Sequence, residues 1–181
     1  MPAPTVFASF FALAAQAAVL PLPPGPKNVT LITGPLVDKS RLDPYAPTPE
    51  PRALMVSVFQ PASTSCEAVP VDYMPPATAK YDTQALASQG WPAAYSFADL
   101  QQQVCGEATD VDQDAPLVLF SPGLGGPRQL YNSMAAAVSS FGFTVVAMDH
   151  TYEAPVGKCI SRSSFSKGTL VPSTRQAFFD S

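Results

Sequence analysis

The residues with the clearest chemical potential lie in one glycine-rich stretch, residues 120–131, which reads FSPGLGGPRQLY. Three glycines and two prolines fall within its first eight positions. Glycines at such a density let the backbone approach a ligand or a neighbouring element closely. Three kinds of partner are therefore open: a phosphate group, the oxygen of an ester, or only a packed helix.

A phosphate matches the stretch poorly. The dinucleotide fingerprint G-x-G-x-x-G requires a third glycine where this chain has Arg128, and a P-loop requires a Lys-Ser or Lys-Thr pair that is absent. Pro127 also removes one of the backbone N–H groups that a phosphate at a helix start would use. A tight turn for close packing of a helix on a sheet remains one interpretation.

The other interpretation is half of an oxyanion hole. In α/β-hydrolases, the loop after the third strand offers a backbone N–H group to the oxyanion that develops on an ester. The donor here would be Leu124, the residue that follows Pro122-Gly123. This interpretation requires a strand directly before the stretch and a helix directly after it.

Two apolar runs on either side indicate the strands that position this stretch. Residues 116–120 form a short continuous apolar run, which is typical of a strand buried on both faces. Residues 143–148 form a second run, which ends in Asp149-His150. The two runs predict neighbouring strands.

A helix is predicted between the two runs. Apolar residues at spacings of four, four and three share one helical face: Leu130, Met134, Val138 and Phe141. Pro127 suits the first helical turn, and Gly142 suits the left-handed residue that ends a helix. Strand, turn, helix and strand together predict one parallel βαβ unit.

Residues 116–150 resemble the corresponding segment of platelet-activating factor acetylhydrolases and their fungal relatives. Residues 33–62 are similar to the opening hairpin of that family, in which an arginine precedes a strand that ends in Phe-x-Pro. The resemblance covers residues 30–155 and implies an α/β-hydrolase serine esterase that removes short or oxidised acyl groups from phospholipids. The family usually has a histidine in place of Pro122, and that histidine helps to brace the oxyanion loop.

The resemblance implies the N-terminal half of an α/β-hydrolase fold: an antiparallel hairpin that leads into the parallel βαβ unit. No G-x-S-x-G nucleophile elbow occurs in the 181 residues. The only histidine, His150, precedes any possible elbow, whereas the triad of this fold runs in the order Ser, Asp or Glu, His. We therefore interpret His150 and Asp149 as packing or hydrogen-bonded residues, and expect the chain to stop before its catalytic residues.

Three functions follow from this interpretation. The first is hydrolysis of a small ester or phospholipid of the 1-alkyl-2-acetylglycerophosphocholine type, by way of a serine nucleophile and an acyl-enzyme. The second belongs to another class: a secreted non-catalytic remnant or binding module. The third is a cutinase- or polyesterase-like hydrolase, because those enzymes share the strand, the glycine loop and the helix.

The N-terminus is expected to be a secretory signal peptide, residues 1–17. Val6 to Ala18 carries no charge, and Ala15-Gln16-Ala17 has the small-x-small pattern of a cleavage site. A buried N-terminal helix is the alternative. A proline-rich mature N-terminus, residues 18–28, would follow, and Asn28 begins an N-x-T glycosylation sequon that we expect to be exposed. The protein is thus expected to be secreted and extracellular.

In an oxidising compartment, the three cysteines acquire a structural meaning. We predict a disulfide between Cys66 and Cys105 that closes an insertion, residues 61–115. Ser96 resembles a helix N-cap, so a short helix is predicted to run from it to Cys105. Cys159 is left outside the bridge, and we leave open whether it is free or pairs with a cysteine outside these residues. No C-x-x-C pair or histidine cluster suggests a metal site.

Composition limits the remaining possibilities. The chain is 46% hydrophobic and 13% charged, which favours a folded domain over disorder, and its net charge of −4 argues against a nucleic-acid partner. We expect a partial hydrolase domain at residues 29–155, no cofactor and no transmembrane segment, and leave the oligomeric state open. Residues 156–181 differ in character, and an altered chain end or a lid-like loop would each explain them.

Overall fold

The computed structural model describes residues 17–92, 95–106 and 110–151. The predicted signal peptide and the predicted C-terminal tail therefore lie outside the described residues, apart from Ala17. The described chain forms a four-stranded sheet and a three-stranded sheet. Its elements are β1 Ala18–Val19, β2 Val29–Leu42, β3 Pro51–Pro61, β4 Ala68–Asp72, α1 Pro76–Ser88, β5 Leu100–Cys105, β6 Leu117–Phe120, a 3₁₀ turn Arg128–Tyr131, α2 Asn132–Ser140 and β7 Thr144–Asp149.

The four-stranded sheet has the order β2-β3-β7-β6 and contains the predicted hairpin and βαβ unit. β2 and β3 pair antiparallel, with Val29 opposite Pro61, and β3 pairs antiparallel with β7. β6 and β7 pair parallel, with Val118 opposite Val145. The parallel pairing confirms the βαβ prediction, and the partial α/β-hydrolase fold is confirmed with it.

One expectation for β6 was wrong. The strand alternates between the core and the outside: Val118 and Phe120 pack against the main apolar cluster, whereas Leu117 and Leu119 are 62% and 65% exposed. Within the described residues, β6 pairs only with β7, so it stands at the edge of the sheet and one of its faces is open. The continuous apolar run therefore marks a strand, but not one buried on both faces.

The helix after the glycine-rich stretch forms, but a different side of it faces the sheet. Small residues of α2 are buried against the strands, among them Ala135, Ala136 and Ser139. Of the apolar stripe predicted from spacing, only Val138 packs against the main core cluster, while Met134 and Phe141 are exposed. Small side chains let the helix axis approach the sheet closely. Gly142 ends the helix with a φ of +101°, as predicted.

The three-stranded sheet, in the order β1-β5-β4, combines two strands of the predicted insertion with β1 from the predicted proline-rich N-terminus. The predicted helix from Ser96 to Cys105 was wrong, because Leu100–Cys105 is strand β5, paired on both sides. Ser96 Oγ instead accepts a hydrogen bond from the Ala98 N–H at 3.1 Å, which makes a local turn. The helix of this region is α1, which begins at Pro76, a residue suited to the first helical position.

The core between α2 and the four-stranded sheet consists of five buried residues: Val29, Phe59, Ala135, Ala136 and Val145. A second cluster on the opposite face joins Val56, Val58 and Val146. β-branched residues dominate these strands, because they pack well on a pleated surface. Neither α-helix of the described ranges is long and apolar enough to cross a membrane.

Candidate active site

The carboxyl ends of β6 and β7 meet at one edge of the four-stranded sheet, because these strands are parallel neighbours. The glycine loop, defined here as residues 121–127, leaves the end of β6. Asp149 is the last residue of β7, and His150 follows it. Ligands of open α/β sheets bind at such an edge. The topology thus brings together two segments that are distant in sequence.

The glycine loop is short and tightly turned. Gly125 has a φ of +78°, which only glycine adopts without strain, and the Gly126 N–H donates to the Gly123 carbonyl at 3.0 Å. Leu124 stands at the tip with 92% of its surface exposed. Its N–H makes no hydrogen bond to any residue that the structure describes. The loop, Met148 and His150 line a cavity of about 130 Å³.

A buried ion pair anchors the C-terminal end of the loop. The guanidinium of Arg128 contacts the Asp149 carboxylate, and the side chains are only 3% and 1% exposed. The backbone N–H of Arg128 also donates to Asp149 Oδ1 at 2.6 Å, and Arg128 Nε donates to Ser57 Oγ at 2.8 Å. The interpretation of Asp149 as a hydrogen-bonded residue is confirmed. A charge-assisted network of this kind fixes the start of the 3₁₀ turn on the sheet.

A second contact holds the N-terminal end of the loop. Ser121 Oγ and His150 Nε2 share a hydrogen bond of 2.7 Å, in which the position of the proton depends on the tautomer. The interpretation of His150 as a hydrogen-bonded residue is therefore also confirmed. Two consecutive residues, Asp149 at the end of β7 and His150 after it, thus hold the two ends of the same loop.

A further carboxylate lies near the ion pair. Asp82 of α1 is 6% exposed, and no hydrogen-bond partner for its Oδ2 is found among the described residues. Burial, and to a smaller extent the nearby Asp149 carboxylate, raise the pKa of Asp82 to about 6. Asp82 accordingly changes its charge at a higher pH than an ordinary aspartate, and it lies close enough to Asp149 for the charge of that carboxylate to affect it.

The cysteine and sequon predictions have different outcomes. The Cys66–Cys105 disulfide is present, with a Cα–Cα distance of 5.6 Å, and it joins the start of the insertion to the end of β5. Asn28, in contrast, is half-buried, and its Nδ2 donates to the Cys66 carbonyl at 3.0 Å. Thr30 of the same sequon is buried in β2 and donates from Oγ1 to the Gln60 carbonyl at 3.3 Å. The expectation of an exposed sequon was wrong, because β2 begins inside it.

Sequence reasoning singled out Leu124 but missed Ser121 and Arg128. These residues become informative only when β6 and β7 are known to be adjacent, because their partners lie 29 and 21 positions away. A signal was nevertheless present. An arginine directly after a turn proline, and an Asp-His pair directly after a buried strand, are polar residues at the ends of apolar elements.

Comparisons with known proteins agree with this geometry. A profile described as platelet-activating factor acetylhydrolase, isoform II, matches residues 94–163. A protein of Arthroderma benhamiae named probable 1-alkyl-2-acetylglycerophosphocholine esterase is 37% identical over 166 residues, which are 84% of this chain and 42% of that protein. Over these residues, the chain is similar to the platelet-activating factor acetylhydrolase family.

A solved structure extends the comparison to the fold. Ferulic acid esterase from Streptomyces cinnamoneus is 30% identical, with a TM-score of 0.60 over 77% of this chain and 38% of that one. The chain thus spans less than half the length of both relatives. Both relatives carry esterase names, and the family is one of ester hydrolases.

Proposed function

We propose that this protein serves the hydrolysis of short-acyl carboxylic esters of the phospholipid type, and that the Leu124 N–H is one of its oxyanion donors. The observation that carries the proposal is the Leu124 amide, which has no hydrogen-bond partner among the described residues and stands at the tip of a loop anchored at both ends. The loop stands at the sheet edge where α/β proteins bind ligands. The esterase names of the relatives support the choice of ester chemistry.

The chemistry assigned to this loop is electrostatic. When a nucleophile attacks an ester carbonyl, negative charge develops on the carbonyl oxygen, and a prearranged N–H group stabilises that charge without further reorganisation. A donor of this kind attacks nothing by itself. Residues 1–181 contain no G-x-S-x-G elbow, so we expect these residues alone to hydrolyse short-chain esters no faster than background.

The test of the donor compares two substitutions at Leu124 in the protein expressed from its full coding sequence. Leu124→Pro deletes the N–H, and loss of one donor lowers kcat roughly 10²- to 10³-fold. Leu124→Ala keeps the N–H and removes only an exposed side chain, so its kcat should stay within a few-fold of the unchanged protein. Thermal melts of both variants check that they fold. Equal losses in two folded variants would show that the Leu124 N–H is not the donor.

The ester class is tested with a substrate panel. We expect a short-acyl glycerophospholipid to be hydrolysed in preference to a feruloyl ester and to a polymeric polyester. Preference for the polyester would favour the cutinase-like alternative. If the protein expressed from its full coding sequence hydrolysed none of these esters and did not react with a serine-directed organophosphate, the non-catalytic binding module would be favoured.

We further propose that the protein is secreted after removal of residues 1–17. The Cys66–Cys105 disulfide supports this, because such bridges persist in oxidising compartments. The uncharged apolar stretch and the small-x-small pattern before residue 18 support it independently. N-terminal sequencing of protein recovered from the culture medium tests it: a mature chain that begins at Ala18 is expected, and a chain retained in cells with Met1 intact would contradict it.

A further inference from the structure

The two ends of the glycine loop are held in different ways. At the C-terminal end, Arg128 is bound to Asp149 and Ser57 by several buried contacts. At the N-terminal end, Ser121 Oγ hydrogen-bonds to His150 Nε2 at 2.7 Å, whereas its contact with the Pro122 carbonyl is 3.5 Å long. Between the two ends, the backbone hydrogen bond found within the loop is that from Gly126 to Gly123.

The direction of the Leu124 N–H therefore depends on where the loop starts. Leu124 is 92% exposed, so packing of its side chain cannot hold it. Pro122 follows Ser121, and its ring restricts the φ angle of Pro122. The direction in which the backbone continues to Gly123 therefore depends on the position of Ser121. When Ser121 is held in place, the start of the glycine loop is held with it. When Ser121 is not held, the loop can move about its buried C-terminal end.

We propose that His150 is a positioning residue, which fixes the Leu124 N–H through its hydrogen bond to Ser121. The imidazole stands on the end of β7, a strand paired on both sides, and is therefore a rigid support for the exposed serine. The catalytic value of this role rests on the proposed oxyanion function of Leu124. The restraint itself, by which the Ser121–His150 hydrogen bond limits motion of the Leu124 amide, does not. It requires neither charge on His150 nor chemistry at Ser121.

The restraint is tested by ¹⁵N backbone relaxation on the full chain, which needs no catalytic activity. In the unchanged protein, we expect the Leu124 amide to have an order parameter of about 0.85. Ser121→Ala and His150→Leu should each lower that value below about 0.6. His150→Gln, whose Nε2 can still reach Ser121, should restore most of it. Ser40→Ala removes an exposed hydroxyl from another hydrogen bond and serves as the control with no effect.

A double variant separates one shared bond from two independent effects. If Ser121 and His150 act through the same hydrogen bond, Ser121→Ala with His150→Leu should lower the order parameter no further than either change alone. Each single variant should shift the melting midpoint by no more than about 3 °C, because the bond is exposed. An unchanged Leu124 order parameter in both single variants would overturn the proposal.

Kinetics then connects the restraint to catalysis. In the protein expressed from its full coding sequence, Ser121→Ala and His150→Leu should lower kcat roughly 10- to 100-fold with KM nearly unchanged, and His150→Gln should recover most of the loss. Lowered order with unchanged kcat would overturn the catalytic role. If the unchanged protein hydrolysed no ester, the proposed function would fail while the restraint could still be measured. Labelling of Ser121 by a fluorophosphonate would reveal a nucleophile there and would also overturn the proposal.

Discussion

The two sheets of this chain are stabilised by different means. The four-stranded sheet buries apolar side chains on both faces, including Phe59 and Val58, which are fully buried. The three-stranded sheet has a small cluster of Tyr73, Met74 and Ala79, and buries the polar Gln102 in its central strand. A disulfide joins the start of the insertion to that strand. Where apolar burial is sparse, a covalent link and hydrogen bonds replace it.

The contact between the sheets is correspondingly polar. Asn132 of α2 donates from Nδ2 to the Tyr73 carbonyl at 2.8 Å, and the Tyr73 hydroxyl hydrogen-bonds to the N–H and hydroxyl of Ser133. Such contacts have strict geometry but contribute little net free energy each. The insertion is therefore oriented accurately on the main sheet while depending on its own crosslink for stability.

The largest loss of stability should follow from a change in the four-stranded sheet, at the buried ion pair between Arg128 and Asp149. Asp149→Asn leaves the Arg128 charge buried without its counter-charge, which should lower the free energy of unfolding by about 3–5 kcal/mol. Asp38→Asn breaks the pair with the exposed Arg41 and should lower the free energy of unfolding far less. Denaturant unfolding measures both. Similar losses in the two variants would mean that burial does not distinguish these pairs.

A smaller effect, confined to the insertion, should follow from removal of the disulfide. Replacing Cys66 and Cys105 together by serine should lower the free energy of unfolding by about 3–4 kcal/mol, since the loop between them is long. Hydrogen exchange should accelerate most in β4 and β5 and least in β3. The single variant Cys159→Ser should change neither quantity. Equal acceleration in both sheets would show that the insertion does not unfold separately.

The smallest effect should appear only as pH changes. The folded-state pKa of Asp82 is about 6, above its ordinary value of 3.8, so the folded chain binds more protons than the unfolded chain between these values. The contribution of Asp82 is therefore fully present below about pH 4 and is lost as pH rises through 6.

Asp82→Asn removes this dependence without removing the side chain. The variant should be more stable than the unchanged protein by roughly 2 kcal/mol at pH 7.5 and equally stable at pH 3.5. The difference between the two unfolding curves across this range is the measurement. A constant difference at all pH values would show that Asp82 does not titrate in that window.

The contrast between the apolar four-stranded sheet and the more polar three-stranded sheet explains which strands the sequence predicted. Residues 143–148 are apolar and rich in β-branched side chains, and they form β7 almost as predicted. In β5, the polar Gln102 is buried, so the strand lacks the alternation of apolar and polar residues that indicates a half-buried strand. The sequence therefore favoured a helix that begins at Ser96. Pairing of β5 with β1 and β4 outweighs that local signal, and such pairing is not visible in a local pattern.

The residues of the candidate site also differ in how well the sequence predicted them. The glycine spacing around Leu124 is a local feature, so the loop could be proposed from the sequence alone. The partners of Ser121 and Arg128 lie beyond α2, and only the parallel register of β6 and β7 brings them within reach. Residues that act through the backbone were thus easier to foresee than residues that act in pairs.

The position of the Asn28 sequon has a consequence for the order of events during biosynthesis. In the folded chain, the Asn28 amide is bound to the Cys66 carbonyl and the Thr30 hydroxyl to Gln60, so the acceptor is already occupied. Sugar transfer to Asn28 would therefore compete with chain folding for the same few atoms. A glycan on Asn28 would have to be attached while β2 is still unpaired, and slow pairing of β2 would lengthen the time available for the transfer.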